Sequence, residues 1–448
     1  MIEDYILKGC NENPNKVFIT AYNVPISYYD FNTNVIRFMS LIEPLSKTGR
    51  LFIDLDDSMD ILYALNACNR LSIVPVIPPD RKNRIKGVDY YQISKSTSTL
   101  NNSCTIQSNK NNNKCNFFSY DSSLVQCVIF TSGTESNPKA VELTFNNIYS
   151  SVLQWSGVLE FKKNDIYINI LPLYHISGLS IFFRCLYFDM HHIIEKYVKN
   201  NFLINKQDIS YISIVPKIIN DARSSSSVLQ ILKNINSVIV GGDSINKSTF
   251  DFCKNNKINA YISYGMTETA SGVSGYFIKN QYKYDEGYIG DVHEGNEVKI
   301  MNRVITIKSQ SVMKSYTSFK NSDGIFITSD YGIKINNKLY CQGRKSNFII
   351  SGGENINLNN IKKIISLHPN IDDLVVTSIT HNIWGAVPVL LYSSNQKNNS
   401  IKDIRIFCKN NLPDYMVPHH MMQVDKIPYK NNKIDFRLVD FYIKESLQ

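Results

Sequence analysis

Residues 129–140 read Ile129-Phe130-Thr131-Ser132-Gly133-Thr134-Glu135-Ser136-Asn137-Pro138-Lys139-Ala140. The apolar run before them, from Val125 to Phe130, predicts a buried strand that delivers a turn rich in hydroxyls and small residues. Hydroxyls, backbone N–H groups and one lysine at a strand end suit the oxygens of a polyphosphate. The spacing differs from the Gly-x-x-x-x-Gly-Lys-Ser/Thr pattern of the P-loop. A plain surface loop is the competing interpretation, since Thr, Ser and Gly are common there.

The segments around this stretch alternate between strand-like and helix-like patterns. They predict a strand, turn and strand over 17–29, a helix over 31–42, a strand over 49–55, a helix over 58–70 and a strand over 73–77. Further strand–helix units run from Val125 to about Gly275. Because strands that alternate with helices form parallel sheets covered by those helices, we expect an α/β fold with a mainly parallel sheet.

The chain is predicted to divide into two unequal domains. Residues 1–342 form a large N-terminal α/β domain with mixed sheets, and short alternating segments over 287–340 predict a β-rich subdomain within it. Residues 343–448 read as a smaller α+β domain of ordinary size. The stretch 94–115 is rich in Ser, Thr, Asn and Lys and poor in apolar residues, which predicts a mobile loop.

The composition of the 448 residues is that of a globular chain, with 43% hydrophobic and 19% charged residues. The net charge of +9 is scattered, without a basic block or an interleaved basic and aromatic patch, so we expect no nucleic-acid partner. The nine cysteines are widely separated and form no Cys-x-x-Cys pair. This favours reduced thiols in a cytoplasmic protein over a zinc site or a disulfide framework. Neither a signal peptide nor a membrane-spanning run is visible in the sequence.

A second constellation is Tyr264-Gly265-Met266-Thr267-Glu268-Thr269, which follows the strand-like run 258–264. Its glycine permits a turn, Thr267 can hydrogen-bond a phosphate, and Glu268 can hold a Mg²⁺ ion that bridges phosphates. A capped helix start is the competing interpretation, because Thr and Glu are common in a first helical turn.

A third constellation contains Thr328-Ser329-Asp330-Tyr331-Gly332, Gln342-Gly343-Arg344-Lys345-Ser346-Asn347 and Ser351-Gly352-Gly353-Glu354-Asn355-Ile356. A strand-end aspartate, Asp330, can accept both hydroxyls of a ribose, and Arg344 can add a charge-assisted bond to ribose or phosphate. The two adjacent glycines let a ligand pass against bare backbone. For an isolated Asp-x-Gly, a turn is the competing interpretation.

The fourth constellation is Pro413-Asp414-Tyr415-Met416-Val417-Pro418 followed by Ile427-Pro428-Tyr429-Lys430-Asn431-Asn432-Lys433-Ile434-Asp435. A lone lysine in an Asn-rich turn is usually just solvated. In this order, however, the four motifs resemble the adenylate-forming superfamily of acyl-CoA synthetases, peptide-synthetase adenylation domains and luciferases. The resemblance covers nearly the whole chain and is strongest from about Val125 to Arg437. It implies a small, mobile C-terminal domain and two half-reactions, in which a carboxylate and ATP give acyl-AMP and pyrophosphate and a thiol, usually CoA, then displaces AMP.

The resemblance also implies roles for individual positions. Those that match its contacts to ATP and CoA are Thr131, Ser132, Gly133, Thr134, Lys139, Gly241, Gly242, Tyr264, Gly265, Met266, Thr267, Asp330, Arg344, Gly352 and Gly353. Tyr264 matches the residue that stacks on adenine, and the last two glycines match the loop that lines the pantetheine tunnel. Glu268 matches the Mg²⁺ ligand, and Lys433 matches the lysine that stabilises the adenylation transition state. Ser346 lies at or next to the hinge about which the small domain rotates.

The segment Leu171-Pro172-Leu173-Tyr174-His175-Ile176-Ser177-Gly178-Leu179-Ser180-Ile181-Phe182-Phe183-Arg184 bears on the acid. Pro-Leu-aromatic-His is general in the superfamily, where the histidine lies beside the acyl site. The continuation looks more like the o-succinylbenzoate–CoA ligases of menaquinone biosynthesis. Their acid has a second carboxylate to recognise, which an arginine in an apolar pocket would bind as a fork. Arg184 is the candidate, with Ser177 and Thr269 beside it, and a surface residue that ends a helix is the competing interpretation for Arg184.

Some positions depart from the superfamily pattern: Glu135 and Ser136 replace Thr/Ser and Gly, Asn432 replaces Gly, and Asn347 replaces a frequent Asp. None of these changes removes a group that does chemistry, so we expect an active enzyme. Its expected partners are a small-molecule carboxylic acid, ATP with Mg²⁺, and CoA, and the sequence leaves a homodimer open. Three other functions also remain open: a ligase for another aryl or short-chain acid, an adenylation enzyme that loads a carrier protein, and a degenerate nucleotide-binding protein.

Overall fold

The computed structural model describes residues 1–44, 49–78, 91–94, 119–131, 138–197, 209–317, 319–320, 323–394, 401–430 and 433–447. For residues 91–94, 319–320, 430, 433 and 447 it describes the backbone alone. The predictions for Ser132, Gly133, Thr134 and the side chain of Lys433 therefore lie outside the described residues. So do the predicted mobile loop from residue 95 onward and the departures at Glu135, Ser136 and Asn432.

The helices are α1 (Tyr5–Glu12), α2 (Tyr28–Ile42), α3 (Ser58–Arg70), α4 (Phe145–Leu159), α5 (Ile176–Tyr187), α6 (Pro216–Ala222), α7 (Ser226–Asn234), α8 (Lys247–Asn255), α9 (Leu358–Ile365), α10 (Ile401–Asn411) and α11 (Phe436–Leu447). The strands are β1 (Ile2–Glu3), β2 (Val17–Ala21), β3 (Val24–Ser27), β4 (Arg50–Asp54), β5 (Val74–Ile77), β6 (Tyr91–Ser94), β7 (Ser119–Tyr120), β8 (Val125–Phe130), β9 (Ala140–Thr144), β10 (Ile166–Asn169), β11 (His191–Ile194), β12 (Tyr211–Ile214), β13 (Ser237–Val240), β14 (Ala260–Met266), β15 (Ser271–Phe277), β16 (Asp291–Val292), β17 (Asn296–Met301), β18 (Val304–Ser309), β19 (Ser315–Tyr316), β20 (Phe319–Lys320), β21 (Ile325–Ile335), β22 (Lys338–Arg344), β23 (Phe348–Ser351), β24 (Glu354–Asn357), β25 (Asp373–His381), β26 (Gly385–Ser393), β27 (His420–Gln423), β28 (Tyr429–Lys430) and β29 (Lys433–Ile434). Within the described ranges, no helix is both long and apolar enough to cross a membrane.

Two large sheets dominate the N-terminal region. The first has nine strands in the order β16-β15-β14-β13-β12-β10-β11-β2-β3, and the second has seven in the order β20-β19-β9-β8-β5-β4-β6. The inner strands of the first sheet pair in parallel, and its edge strands pair antiparallel. In the second sheet, β9 joins β8 antiparallel and then carries β19. The predicted α/β fold with mixed sheets is therefore confirmed.

The remaining sheets are antiparallel or small. Strands β17, β18, β21 and β22 form an antiparallel sheet, which is the predicted β-rich subdomain. The C-terminal region has a sheet in the order β24-β23-β26-β25, with β27 added in parallel on β26. Helices α9, α10 and α11 lie in the same part of the chain, so the predicted α+β character of this region is also confirmed.

Local chemistry explains where the first helices begin. At α2, the hydroxyl of Ser27 accepts from the N–H of Asp30 while the Asp30 carboxylate accepts from the N–H of Ser27. At α3, Asp57 accepts from the N–H groups of Met59 and Asp60. These side chains satisfy N–H groups that a helix leaves without partners at its start. The predicted helix over 58–70 consequently has the bounds of α3.

The hydrophobic cores do not mix the two ends of the chain. Within the described ranges, two clusters contain only residues from Ile349 onward, and the others contain only residues up to Cys341. The predicted boundary between residues 342 and 343 lies inside β22, because Arg344 still pairs with Asp330 across the sheet. The separated cores support two domains, and their division at this point stays a prediction.

None of the seven cysteines in the described ranges forms a disulfide. Five of them are buried: Cys68, Cys127, Cys185, Cys253 and Cys408. Burial raises the pKa of each of these thiols, to about 12 for Cys127 and about 11 for Cys408. They therefore behave as small apolar side chains of the cores.

Candidate active site

The second motif spans the end of β14 and the turn that leads into β15. The register shifts at Tyr264 and Gly265, and a Cβ on Gly265 would collide with the carbonyl oxygen of Ser271. A 3₁₀ turn over Thr267–Thr269 follows, so the helix-start interpretation describes the backbone correctly for one short turn. Glycine is therefore required here for close backbone approach.

The hydroxyl of Thr269 holds this turn together. Its Oγ1 lies 2.7 Å from the carbonyl oxygen of Ser271 and 3.1 Å from that of Met266, and the Met266 N–H donates to it. The side chain has no exposed surface. Thr269 thus has a structural role in the turn, and nothing in these contacts supports the contact with the acid that was predicted for it.

Asp330 lies opposite this turn, on the β-rich subdomain. The sequence suggested an aspartate at a strand end, but Asp330 lies inside the 11-residue strand β21. The reason is that the register shifts between Tyr331 and Gly332, and a Cβ on Gly332 would collide with Ile305. The Asp-x-Gly sequence therefore makes a bulge, which lets the strand continue.

The Asp330 carboxylate is held from two sides. The hydroxyl of Tyr264 donates to its Oδ2 at 2.8 Å, and Nε of Arg344 lies 3.4 Å from its Oδ1. Burial, and next the charge of Asp330, raises the pKa of Tyr264, so its phenol remains a donor at neutral pH. A carboxylate offers about four lone-pair sites, which leaves two for a pair of ribose hydroxyls.

Thr131 and Lys139 close the neck of the predicted phosphate loop. The N–H of Thr131 donates to the Lys139 carbonyl at 2.9 Å, and the N–H of Lys139 donates to Oγ1 of Thr131 at 3.0 Å. These two bonds bring the ends of the stretch together, directly after β8. The Lys139 side chain is exposed, with Nζ 5.7 Å from the centre of the Tyr316 ring.

Tyr316 connects the phosphate loop to Glu268. Its hydroxyl donates to Oε1 of Glu268 at 2.6 Å, and the N–H of Met313 donates to the Glu268 carbonyl at 2.8 Å. Lys139, at the ring, and Glu268, at the hydroxyl, are therefore both close to Tyr316. Sequence reasoning missed Tyr316, because it lies 48 residues from Glu268 and belongs to no motif.

The anchored carboxylate of Glu268 suits a magnesium ion that arrives with a nucleotide. Among the described residues, no three His, Cys, Asp or Glu side chains gather into a metal site of their own. Mg²⁺ commonly uses one or two protein carboxylates and completes its octahedron with substrate phosphates and water. One fixed carboxylate beside a phosphate loop fits that donor set.

Gly241 and Gly242 follow β13 and so lie at the carboxyl ends of the parallel strands, the end at which the turn after β14 also lies. The N–H of Gly241 donates to the Ile214 carbonyl, and Gly242 has a φ of +84°. A Cβ on Gly241 would meet no atom within 4 Å, so the backbone there is bare. Ligands of parallel α/β sheets bind at the carboxyl ends of the strands, which is where these glycines lie.

Helix α5 begins at the carboxyl ends of the parallel strands and runs away from that edge of the sheet. His175 is its N-cap residue, and its ring lies 4.7 Å from that of Tyr174. Ser177 and Arg184 are seven residues apart and so share one face of the helix, with Ser180 between them. Ser177 is exposed, whereas Ser180 and Arg184 are buried. The Oγ of Ser180 has no hydrogen-bond partner among the described residues.

Arg184 is 2% exposed, so the interpretation as a surface residue is wrong. The helix continues to Tyr187, and the guanidinium points into the protein. Its two terminal nitrogens donate to the hydroxyl of Tyr167 at 2.9 Å and to that of Ser271 at 2.8 Å. No carboxylate of the described residues forms an ion pair with it. An unpaired buried charge is costly, so a guanidinium in this position is suited to bind an anion.

Three candidate residues of the C-terminal region, Ser346, Gly352 and Gly353, lie on exposed surface. Gly352 and Gly353 form the turn between β23 and β24, with φ of +57° and +88°. A Cβ on Gly352 would lie 2.7 Å from the ring of Trp384, whereas one on Gly353 would meet no atom within 4 Å. Ser346 is exposed in a 3₁₀ turn between β22 and β23. Lys433 begins β29, which pairs with β28.

The neck of the phosphate loop follows β8, the fixed carboxylate of Glu268 follows β14, and the aspartate held by Tyr264 comes from the β-rich subdomain. This combination is typical of an enzyme that binds a nucleotide. Residues 91–317 match the family of AMP-binding enzymes, and residues 360–433 match the C-terminal domain of AMP-binding enzymes. The chain belongs to the AMP-binding enzyme family.

Several similar members of this family are named 2-succinylbenzoate–CoA ligases. A 2-succinylbenzoate–CoA ligase of Staphylococcus epidermidis is 30% identical over 325 residues, which cover 68% of this chain and 67% of the relative. The 2-succinylbenzoate–CoA ligase of Listeria monocytogenes is 30% identical over 320 residues, which cover 69% and 68%.

Solved structures share the fold. The o-succinylbenzoate CoA synthetase of Bacillus subtilis, in complex with its acyl-adenylate intermediate, has a TM-score of 0.79 at 22% identity and covers 96% of each chain. The same synthetase with ATP and a magnesium ion has a TM-score of 0.79 at 21% identity, covering 96% of this chain and 98% of that one. At these identities the likeness shows the fold alone.

Proposed function

We propose that this chain is an ATP-dependent acid–CoA ligase that converts 2-succinylbenzoate into 2-succinylbenzoyl-CoA through an acyl-adenylate, as a step of menaquinone biosynthesis. The names of its relatives support the reaction. The observation that carries the choice of acid is Arg184, a buried guanidinium without a carboxylate partner among the described residues. The acid has two carboxylates, so one can react while the other pairs with Arg184.

In the first half-reaction, one carboxylate oxygen of the acid attacks the α-phosphorus of ATP. The bond from that phosphorus to the bridging oxygen breaks, and pyrophosphate leaves. Asp330 holds the ribose, and the loop between Thr131 and Lys139 holds the phosphates. Lys433 stabilises the negative charge that builds up between the carboxylate and the α-phosphate. When bound beside Glu268, Mg²⁺ neutralises phosphate charge.

In the second half-reaction, the CoA thiol attacks the acyl carbon of the adenylate. A thioester bond forms, the acyl–phosphate bond breaks, and AMP leaves while the thiol loses its proton. The small domain rotates near Ser346, so that Gly352 and Gly353 line the path of the pantetheine. His175, at the start of α5, lies beside the acyl site in both steps. Rotation of this kind lets one cleft serve two reactions.

The test is AMP release from ATP, Mg²⁺ and CoA with a panel of acids. The panel contains 2-succinylbenzoate, its analogue 4-oxo-4-phenylbutanoate, which lacks the aromatic carboxylate, and benzoate, 4-coumarate and octanoate. We expect release with 2-succinylbenzoate, accompanied by its CoA thioester, and much weaker release with the analogue. Release with another acid alone would retain the mechanism and reject the substrate.

Arg184→Gln sharpens this test. A charge-assisted bond contributes about 1.5–3 kcal/mol net, so KM for 2-succinylbenzoate should rise about 10- to 100-fold while KM for the analogue stays unchanged. The matched control is Arg223→Gln, because Arg223 is exposed and stacks on Phe252 at 4.7 Å, away from α5. Equal losses with both acids would show that Arg184 supports the fold and does not read the substrate.

A further inference from the structure

The guanidinium of Arg184 lies over the indole ring of Trp155. The guanidinium carbon is 4.3 Å from the centre of the indole, and Trp155 is 1% exposed. The two residues come from different helices, α4 and α5. Stacking on an indole is the strongest of the cation–aromatic contacts in proteins. The contact restricts the tilt of the guanidinium, and its hydrogen bonds to Tyr167 and Ser271 hold its two terminal nitrogens.

Two further rings hold the indole. The His293 ring lies 5.0 Å from it at 73°, and the Tyr261 ring lies 5.6 Å from it at 67°. Nε2 of His293 and the hydroxyl of Tyr261 form a hydrogen bond of 2.7 Å, so these rings also hold each other. Burial, and next the charge of Arg184, lowers the pKa of His293 to about 4. His293 therefore adds no second positive charge beside Arg184 at neutral pH.

Arg184 keeps donors for a ligand in this arrangement. A guanidinium carries five N–H donors, and the hydrogen bonds to Tyr167 and Ser271 use two of them. The others can form a fork with a carboxylate only if the plane of the guanidinium contains that carboxylate. A stack that sets the plane therefore decides whether the fork can form.

We propose that Trp155 is a positioning residue for the second carboxylate of the acid, which acts by holding the plane of Arg184. This inference rests on the proposed function. Trp155 does not touch the reacting atoms, and it sets selectivity for a dicarboxylic acid over an acid with one carboxylate. A loss of this stack is expected to cost about 3- to 30-fold in the affinity for the second carboxylate.

The experiment compares Trp155→Leu and Trp155→Phe with the wild type, using 2-succinylbenzoate and 4-oxo-4-phenylbutanoate. Leu keeps apolar volume without an aromatic face, so KM for 2-succinylbenzoate should rise about 3- to 30-fold, with kcat nearly unchanged. KM for the analogue should stay as in the wild type. Phe keeps a smaller aromatic face and should restore part of the selectivity.

The control is Phe161→Leu, which removes an aromatic ring from the same core without removing the stack. Phe161 is 7% exposed, and its ring packs on Phe188 and Tyr211. This variant should lower Tm and leave the ratio of the two KM values as in the wild type. If Trp155→Leu fails to fold, Trp155→Phe alone decides. Its smaller aromatic face must then also lower the preference for 2-succinylbenzoate over the analogue.

The outcomes separate the two proposals. A wild type that prefers 2-succinylbenzoate, together with Trp155 variants of unchanged preference, would overturn the role of Trp155 and leave the proposed function intact. Equal losses with both acids would mean that the indole supports the fold alone. A wild type without preference for 2-succinylbenzoate would overturn the proposed function and, with it, the substrate role of the stack.

Discussion

The nucleotide side of the site and the exposed face of the C-terminal region hold their residues in different ways. On the nucleotide side, Tyr264 holds Asp330 at 2.8 Å and Tyr316 holds Glu268 at 2.6 Å. On the C-terminal face, Gly352, Gly353 and Ser346 are exposed. Under the proposed function, the groups that would bind ATP are positioned before it arrives, whereas those on the C-terminal domain remain free to change neighbours when it rotates.

Replacement of Lys433, in the C-terminal region, should slow catalysis more than any other proposed substitution. Lys433→Ala should slow acyl-adenylate formation about 10²- to 10³-fold, as loss of one stabilising donor does elsewhere, and it should spare ATP binding. Pyrophosphate release without CoA measures the first step, and ATP titration measures binding. The control is Lys426→Ala, an exposed lysine of the same region. If turnover survives in Lys433→Ala, the role given to Lys433 is wrong.

The two partners of the ribose contact should differ in effect. Asp330→Asn removes the charge that accepts the ribose hydroxyls, so KM for ATP should rise about 10- to 100-fold. The side chain of Arg344 is 53% exposed, and exposed ion pairs contribute about 0–1 kcal/mol, so Arg344→Gln should raise this KM by about fivefold at most. Steady-state kinetics in ATP measure both. Equal effects on this KM would contradict the prediction that nucleotide binding depends more on buried Asp330 than on exposed Arg344.

Alanine substitutions at two glycines compare tightly packed backbone with open backbone. Gly265→Ala forces a methyl group onto the Ser271 backbone, so we expect a loss of about 1–3 kcal/mol of stability and weaker ATP binding. Gly353→Ala meets no neighbour within 4 Å and costs only the left-handed backbone, about 1 kcal/mol. It should leave adenylation unchanged and slow thioester formation. Thermal unfolding and the two half-reactions measured separately check this, and a Gly353→Ala variant with slow adenylation would contradict it.

A further expected effect is a sensitivity of folding to acid that originates in the N-terminal region. Burial lowers the pKa of His192 to about 3 and that of His293 to about 4, from an ordinary value of 6.5. Between pH 6.5 and these values the unfolded chain binds protons that the folded chain does not, so the free energy of unfolding falls as pH falls. From pH 7 to 5 the loss is on the order of 1–2 kcal/mol for each histidine.

Urea unfolding at pH 7 and pH 5 measures this loss. His192→Phe is the matched variant, because both ring nitrogens of His192 are buried without hydrogen-bond partners among the described residues. It should remove the contribution of one histidine. An unchanged dependence on pH would place the acid sensitivity elsewhere.

Local patterns predicted the elements well, and they predicted the contacts between elements poorly. The bounds of α3 and the strand before the phosphate loop follow from nearby apolar spacing and caps. The position of Asp330 inside β21 could not be read locally, because Ile305 on a neighbouring strand decides it. The same holds for Tyr316, which reaches Glu268 only through the pairing of β19 with β9.

Arg184 shows the same limit of prediction from local sequence. Its place on one face of α5 could be predicted, but its burial depends on Trp155, Tyr167 and Ser271 from three other elements. Sequence reasoning passed over Ser271, although it lies two residues after the motif that ends at Thr269. The hydroxyl of Ser271 could have been considered as well, because the motif just before it was already predicted to bind the nucleotide.

The buried cysteines have a consequence for oxidative chemistry. An enzyme that uses CoA also meets the disulfides that CoA and other small thiols form, and thiolates attack such disulfides. Burial raises the pKa of Cys68, Cys127, Cys185, Cys253 and Cys408, so these sulfurs carry almost no thiolate at neutral pH. Mixed disulfides are therefore strongly disfavoured at these five positions in the folded chain. In the proposed reaction an acyl group passes to a foreign thiol, and burial would keep these five sulfurs out of that chemistry.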